Sequence, residues 1–123
     1  MRKALACVTF LLICALWPAA GYAGGEVKAG AYAAQGTNPD GSSYSGTARI
    51  TITSDTTCTI VWKSGDTPST GICMRDSDSF AAAYKMGGSV GLVIYKIGED
   101  GTLTGVWTVA GHSGAGTETL TPE

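Results

Sequence analysis

Residue types that enzymes rely on for acid–base and nucleophilic chemistry are scarce in this chain. Its single histidine, His112, stands next to Ser113 in a glycine-rich stretch. Two residues adjacent in sequence are a poor arrangement for one side chain to activate the other, and no third group to orient them is evident. We interpret this stretch as a solvated loop and expect neither catalysis nor a bound cofactor.

Motifs for metals and phosphates are missing as well. Asp76 and Asp78 form an acidic pair, but calcium requires six or more oxygen ligands and the EF-hand spacing is absent, so a charged turn is the better interpretation. The stretch 111–116 lacks the Lys-Ser/Thr ending of a phosphate-binding loop. We expect Glu118 to be an exposed or hydrogen-bonded carboxylate, because a buried one requires a partner. No metal site is predicted.

Long apolar runs are absent except at the N-terminus. A basic pair precedes the apolar residues 4–16, and small residues follow up to Ala23. This order is typical of a secretory signal peptide, here residues 1–23, and the run is shorter than the ~20 residues of a membrane helix. A lipid anchor on Cys14 is disfavoured because bulky Ile13 precedes it. We therefore expect export to the periplasm or the medium.

The remaining residues, 24–123, form one predicted domain with little positive charge. They contain six basic and ten acidic residues, which gives a formal net charge of −4. An acidic surface argues against nucleic acid and anionic membrane as partners. We expect no stable membrane insertion after removal of the signal peptide, and an extracellular or periplasmic protein as a partner.

Cysteine is rare in this domain, and the two residues present predict a disulfide. Cys58 and Cys73 are an even pair in an exported chain, which favours a disulfide over a metal site or a reactive thiol. Two β-type runs flank Gly65-Asp66, a two-residue hairpin signal. In that register Cys58 lies opposite Cys73, at a Cα separation of about 4.5–5.5 Å that suits a disulfide.

Helical periodicity is also absent past residue 24. Short alternating runs recur every ten to twelve residues between turn signals, as in 43–53, 90–97 and 102–109, which is typical of an all-β sandwich or barrel. Tight turns make sequential strands pair, and closing such a meander removes its exposed edges. We predict an eight-stranded antiparallel up-and-down barrel with one cross-strand disulfide; an open β-sandwich is the alternative.

Aromatic side chains form the most suggestive set. Six fall on faces that we expect to point inward: Tyr32, Tyr44, Trp62, Phe80, Tyr84 and Trp107. The interpretation that we favour is that they fill the barrel, because aromatic rings bury a large area and a domain of ~100 residues has little volume to spare. The other is that several line a ligand cavity with tyrosine hydroxyls as polar contacts. The candidate lining residues are Tyr32, Tyr44, Trp62, Tyr84 and Trp107.

Several segments together resemble a group of small exported bacterial proteins that are labelled fibronectin-binding or uncharacterised. The resemblance rests on Tyr32, Gly36-Thr37-Asn38-Pro39-Asp40-Gly41-Ser42-Ser43-Tyr44-Ser45-Gly46, Trp62, Gly71-Ile72, Tyr84, Gly91-Leu92-Val93-Ile94-Tyr95, Gly105-Val106-Trp107 and Gly116-Thr117-Glu118. It implies adhesion to host matrix. The architecture also resembles avidin-like and calycin-like barrels, which periplasmic protease inhibitors use, although a shared form does not establish function.

Two functions follow as hypotheses. The first is an exported, non-enzymatic module whose barrel surface or loops bind another protein, as in fibronectin-binding-like adhesion. The alternative is a carrier of a small apolar ligand inside the barrel, or a periplasmic protein similar to a protease inhibitor. A ligand-sized cavity would favour the carrier, whereas a filled core with an exposed apolar patch would favour the protein-binding module.

Overall fold

Alternating polar and apolar residues between tight turns produce eight strands and no helix in residues 25–123, the part of the chain that the computed structural model describes. The proposed signal peptide lies outside the described residues. The strands are β1 (Gly30–Thr37), β2 (Ser43–Ile52), β3 (Thr57–Ser64), β4 (Thr67–Asp76), β5 (Ser79–Met86), β6 (Ser89–Ile97), β7 (Leu103–Val109) and β8 (Gly116–Pro122). Over these residues, nothing in the fold matches a helix able to cross a membrane.

Each strand pairs antiparallel with the next, and β1 pairs with β8, so the sheet closes into a barrel. The predicted up-and-down barrel is confirmed, and the open sandwich is wrong. Closure is the physically favoured outcome because an open meander would leave the edges of β1 and β8 without hydrogen-bond partners.

The β3–β4 hairpin has the predicted register. Gly65 takes a φ of 65° in the two-residue turn, and Cys58 lies opposite Cys73. The two cysteines form the predicted disulfide, with their Cα atoms 4.9 Å apart. Both are buried in the barrel interior.

The next turn is shorter than the sequence suggested. The charged run 75–78 predicts a four-residue turn, but Asp76 still pairs with Ser79. Only Ser77 and Asp78 form the connection, and Ser77 adopts a φ of 55°. The strand therefore continues through charged residues, because their side chains reach solvent at the barrel's end.

The two ends of the barrel differ. The connections after β2, β4 and β6 and the segment 25–29 lie at what we call the closed end. A cavity of about 440 Å³ lies at this end, between the segment 25–29 and the β2–β3 turn. Large side chains fill the interior between it and the opposite end, and Val27 packs against this core. The fully buried ones are Tyr32, Ile50, Ile60, Phe80, Tyr95, Ile97, Leu103 and Leu120. The connections after β1, β3, β5 and β7 surround the other end, which we call the open end.

Candidate functional site

A cavity of about 570 Å³ occupies the open end of the barrel. Five aromatic side chains from five different strands line it: Tyr44, Trp62, Tyr84, Tyr95 and Trp107. Glu118 of β8 and Ser69 of β4 add buried polar groups. A concave, mainly apolar surface with a few convergent polar groups is the usual composition of a small-molecule site.

Glycines explain why these large rings do not fill the cavity. Three rings lie over a glycine of the neighbouring strand: Tyr44 over Gly36, Tyr84 over Gly91 and Trp107 over Gly116. A Cβ atom on Gly91 would overlap the Cζ atom of Tyr84, which no real contact allows. Because the glycines leave this space, the rings lie along the wall and the interior stays open.

Hydrogen bonds hold the same rings in place. The Tyr84 hydroxyl donates to the carbonyl of Thr108 at 3.1 Å. Trp107 Nε1 donates to the carbonyl of Thr117 at 3.2 Å, and the hydroxyl of Tyr44 lies 3.2 Å from that carbonyl as well. Each ring is thus fixed at its polar end, so the wall is preorganised for binding.

The rings also pack against one another in two edge-to-face pairs. Tyr44 and Trp107 have centroids 6.1 Å apart and planes inclined at 74°. Trp62 and Tyr84 have centroids 5.4 Å apart and planes inclined at 62°. This is the favoured geometry for aromatic pairs, and it makes the wall enclose the cavity from several directions.

Glu118 lies at the centre of the polar network and is only 7% exposed. Tyr44 donates its hydroxyl to Oε1 at 3.1 Å. Trp62 Nε1 donates to Oε2 at 3.1 Å, and the hydroxyl of Tyr95 donates to the same oxygen. The requirement that a buried carboxylate have a partner is therefore met by three donors from three strands.

Burial shifts the titration of this network. It raises the pKa of Glu118, although the hydrogen bonds from Tyr95, Tyr44 and Trp62 oppose that rise. Burial, together with the negative charge of Glu118, raises the pKa of Tyr84 to about 12. The same causes raise the pKa of Tyr44 and Tyr95 still further. The phenols therefore remain protonated donors at neutral pH.

Four of the five candidate lining residues surround this cavity: Tyr44, Trp62, Tyr84 and Trp107. Tyr32 lies elsewhere. It is buried in the filled part of the core, and its hydroxyl donates to the carbonyl of Lys28 near the closed end. The register explains why Tyr32 lies farther along the barrel axis, toward the closed end. It pairs with Ala48, whereas Tyr44 lies nearer the open end of the β1–β2 pair.

Tyr95 is the aromatic lining residue that the sequence analysis missed. Strand β6 carries exposed apolar residues, such as Leu92 and Ile94, beside buried ones, so no polar face reveals its alternation. The available signal was the period of two itself, which places Tyr95 on the same side as Val93.

The other candidates lie outside the cavity. His112 is exposed in the β7–β8 loop, and Asp76 and Asp78 are exposed at the closed end. Among residues 25–123, no three or more His, Cys, Asp or Glu side chains come close enough to hold a metal ion.

Comparisons with known proteins support the fold. A redesigned β-barrel, b11L5F_LGL, has a TM-score of 0.68 and 16% identity over 77% of this chain and 90% of its own. The redesigned barrel mFAP1, solved bound to DFHBI, has a TM-score of 0.68 and 19% identity over 76% and 94%. A fluorescence-activating barrel designed de novo has a TM-score of 0.65 and 13% identity over 79% and 94%.

These likenesses define the class of architecture as a small, closed eight-stranded barrel. No family model matches the chain, and the search of curated proteins finds no significant match. The fold therefore rests on structure, and function has to be argued from the cavity and the surface.

Proposed function

We propose that this chain is an exported, non-enzymatic protein that binds a small, largely apolar molecule at the open end of its barrel. The observation that carries the proposal is the aromatic-lined cavity of about 570 Å³. That volume lies within the range of about 300–1,000 Å³ typical of small-molecule sites. An eight-stranded barrel is also just wide enough to hold one such ligand.

The structural neighbours give this proposal a precedent. The mFAP1 barrel is bound to DFHBI, so a barrel of this architecture accommodates a small molecule. The Cys58–Cys73 disulfide supports export, because such bonds persist in oxidising compartments. Between the two functions that the sequence left open, the cavity favours the carrier.

Filling the cavity tests this proposal. Ser69 points inward and lines the cavity, whereas its neighbour Thr70 is exposed on the outer surface of the same strand. We expect Ser69→Phe to weaken binding of the neutral fluorescent probe N-phenyl-1-naphthylamine by about tenfold or more, because the new ring occupies the binding volume. The matched variant Thr70→Phe should bind the probe like the wild type.

The measurement is the rise in probe emission on titration, with circular dichroism confirming that both variants are folded. The proposal fails if the wild-type protein gives no saturable rise. It also fails if the two variants weaken binding equally, since the probe would then bind the outer surface.

A second candidate function, adhesion to a host-matrix protein, is favoured by an exposed apolar surface on β4, β6 and β7. The outer apolar face consists of Ile72, Met74, Val90, Leu92, Ile94 and Val106, each between 48% and 70% exposed. Cross-strand pairing makes it continuous through Ala81 and Ala83 of β5. Lys85 borders it toward the open end, directly opposite Val90, so a partner with an apolar patch and a neighbouring carboxylate would complement it.

Immobilised fibronectin is the probe for this second function, because the sequence resemblance implies it. We expect the double variant Ile72→Thr/Leu92→Thr to lose about tenfold or more in affinity by surface plasmon resonance, since both side chains would lose apolar contact area. Thr47→Ser on β2, outside the face, is the control. Equal binding by the double variant and the wild type would exclude this face as the contact.

A further inference from the structure

The polar groups of the cavity specify the charge of its ligand. We propose that the ligand is an organic cation, an ammonium or quaternary ammonium group on a small apolar body, held between the Glu118 carboxylate and the surrounding rings. This inference rests on the proposed small-molecule function and adds the chemical class of the ligand.

The hydrogen bonds around Glu118 suit an ionised carboxylate. The indole N–H of Trp62 can only donate, and it reaches Oε2. Tyr95 donates to the same oxygen, and Tyr44 donates to the other. An ionised carboxylate accepts from all three donors, whereas a protonated one would require a tyrosine hydroxyl to turn and accept its O–H, with the loss of one of these bonds.

This negative charge has no cationic partner in the cavity wall. Among the described residues that line the cavity, Glu118 is the only acid and there is no Lys, Arg or His. Its three donors are neutral groups. Since a buried carboxylate is costly without a counter-charge, a cation entering the cavity would gain an attraction that a neutral molecule of the same shape would not.

The aromatic rings of the cavity also favour a positively charged ligand. The faces of Trp and Tyr rings carry negative electrostatic potential and attract cations, and aromatic cages bind quaternary ammonium groups in this way. Here Tyr44, Trp62, Tyr84 and Trp107 lie in two steeply inclined pairs around the cavity. An anion would meet repulsion from both the carboxylate and the ring faces.

Two molecules of the same shape and different charge test the assignment. Phenyltrimethylammonium and tert-butylbenzene differ by a charged nitrogen in place of a carbon, and their affinities follow from NMR titration of the indole N–H signals of Trp62 and Trp107. We expect the cation to bind at least about tenfold more tightly than the neutral compound. Benzenesulfonate should not bind measurably.

Glu118→Gln keeps the size of the side chain and removes its charge. We expect it to bring the ratio of the two affinities close to one. Glu99→Gln, which removes an exposed carboxylate in the β6–β7 turn at the closed end, should keep the wild-type ratio. A ratio that survives Glu118→Gln would overturn the role assigned to this carboxylate.

The wild-type ratio alone also tests the inference, so the test does not depend on the folding of a variant. Equal affinity for the cation and its neutral counterpart would overturn the cation assignment while leaving the small-molecule function in place. If neither compound nor N-phenyl-1-naphthylamine binds, the proposed function itself fails.

Discussion

At the scale of single residues, Glu118 connects stability to binding. Its carboxylate brings together Tyr44, Trp62 and Tyr95 from three strands, so it orders the wall of the cavity. Burial nevertheless disfavours its charge. The same residue therefore stabilises the arrangement of its neighbours and carries an electrostatic cost in the absence of ligand.

This cost predicts a pH dependence. The pKa of Glu118 is raised in the folded state above its ordinary value near 4.5. Between these two pKa values the folded state holds a proton that the unfolded state has lost, so the free energy of unfolding falls as pH rises through that window. We expect Glu118→Gln to remove this component, so that its stability relative to wild type improves as the pH rises above the ordinary value of Glu118.

Urea unfolding of both proteins at several pH values, followed by circular dichroism, measures the difference. Glu99→Gln is the control for the loss of one carboxylate. A difference between Glu118→Gln and wild type that stays constant with pH would contradict the prediction.

At the scale of strands, the pairing of glycines with aromatic rings shapes the cavity. Gly91 lies under the Tyr84 ring, whereas Gly88 in the adjacent turn has open space around its missing Cβ. The two glycines belong to the same β5–β6 hairpin but have opposite surroundings. They therefore separate the effect of the ring contact from the general effect of replacing glycine.

We expect Gly91→Ala to destabilise the protein by about 1–3 kcal/mol, because the added methyl group must displace the Tyr84 ring. Gly88→Ala, which has neither a close neighbour nor a positive φ, should be neutral or stabilising by up to about 1 kcal/mol. Chemical denaturation gives both values. Equal effects of the two substitutions would show that the ring does not depend on the glycine.

Strand-level features were the most predictable from sequence. Gly65-Asp66 alone determined the pairing of Cys58 with Cys73, since a two-residue turn leaves one register. The network around Glu118 was not predictable, because Tyr44, Trp62, Tyr95 and Glu118 are brought together by closure between distant strands rather than by spacing. Tyr32 was assigned to the cavity for a related reason: alternation gives the face of a strand but not the depth within a barrel.

At the scale of the whole molecule, the disulfide and the candidate binding cavity lie at opposite ends of the barrel. The disulfide lies toward the closed end, where Cys58 neighbours the β2–β3 turn, and the cavity lies at the open end. The core between them is filled by large apolar side chains. This separation allows the barrel to be stabilised without restricting the residues that line the cavity.

Removing the disulfide tests that separation. The bond joins residues 15 positions apart, and closing a loop of that length is worth about 3 kcal/mol in the chain-entropy estimate. We expect Cys58→Ala/Cys73→Ala to lose roughly that much free energy of unfolding. Well below its unfolding temperature it should still bind N-phenyl-1-naphthylamine with an affinity within about threefold of wild type. A loss of probe binding by a folded double variant would show that the two ends are coupled.

The filled middle of the barrel makes the open-end cavity a cup rather than a tube. A ligand bound as proposed would have to leave by the rim through which it came, so the group that meets Glu118 would go in first and come out last. The opposite end of that ligand would then face the solvent beside the turns at the rim. Ligands that share one head group and differ in the length of their tails would fit the same cup. A molecule that accepts the ligand would have to approach from the rim.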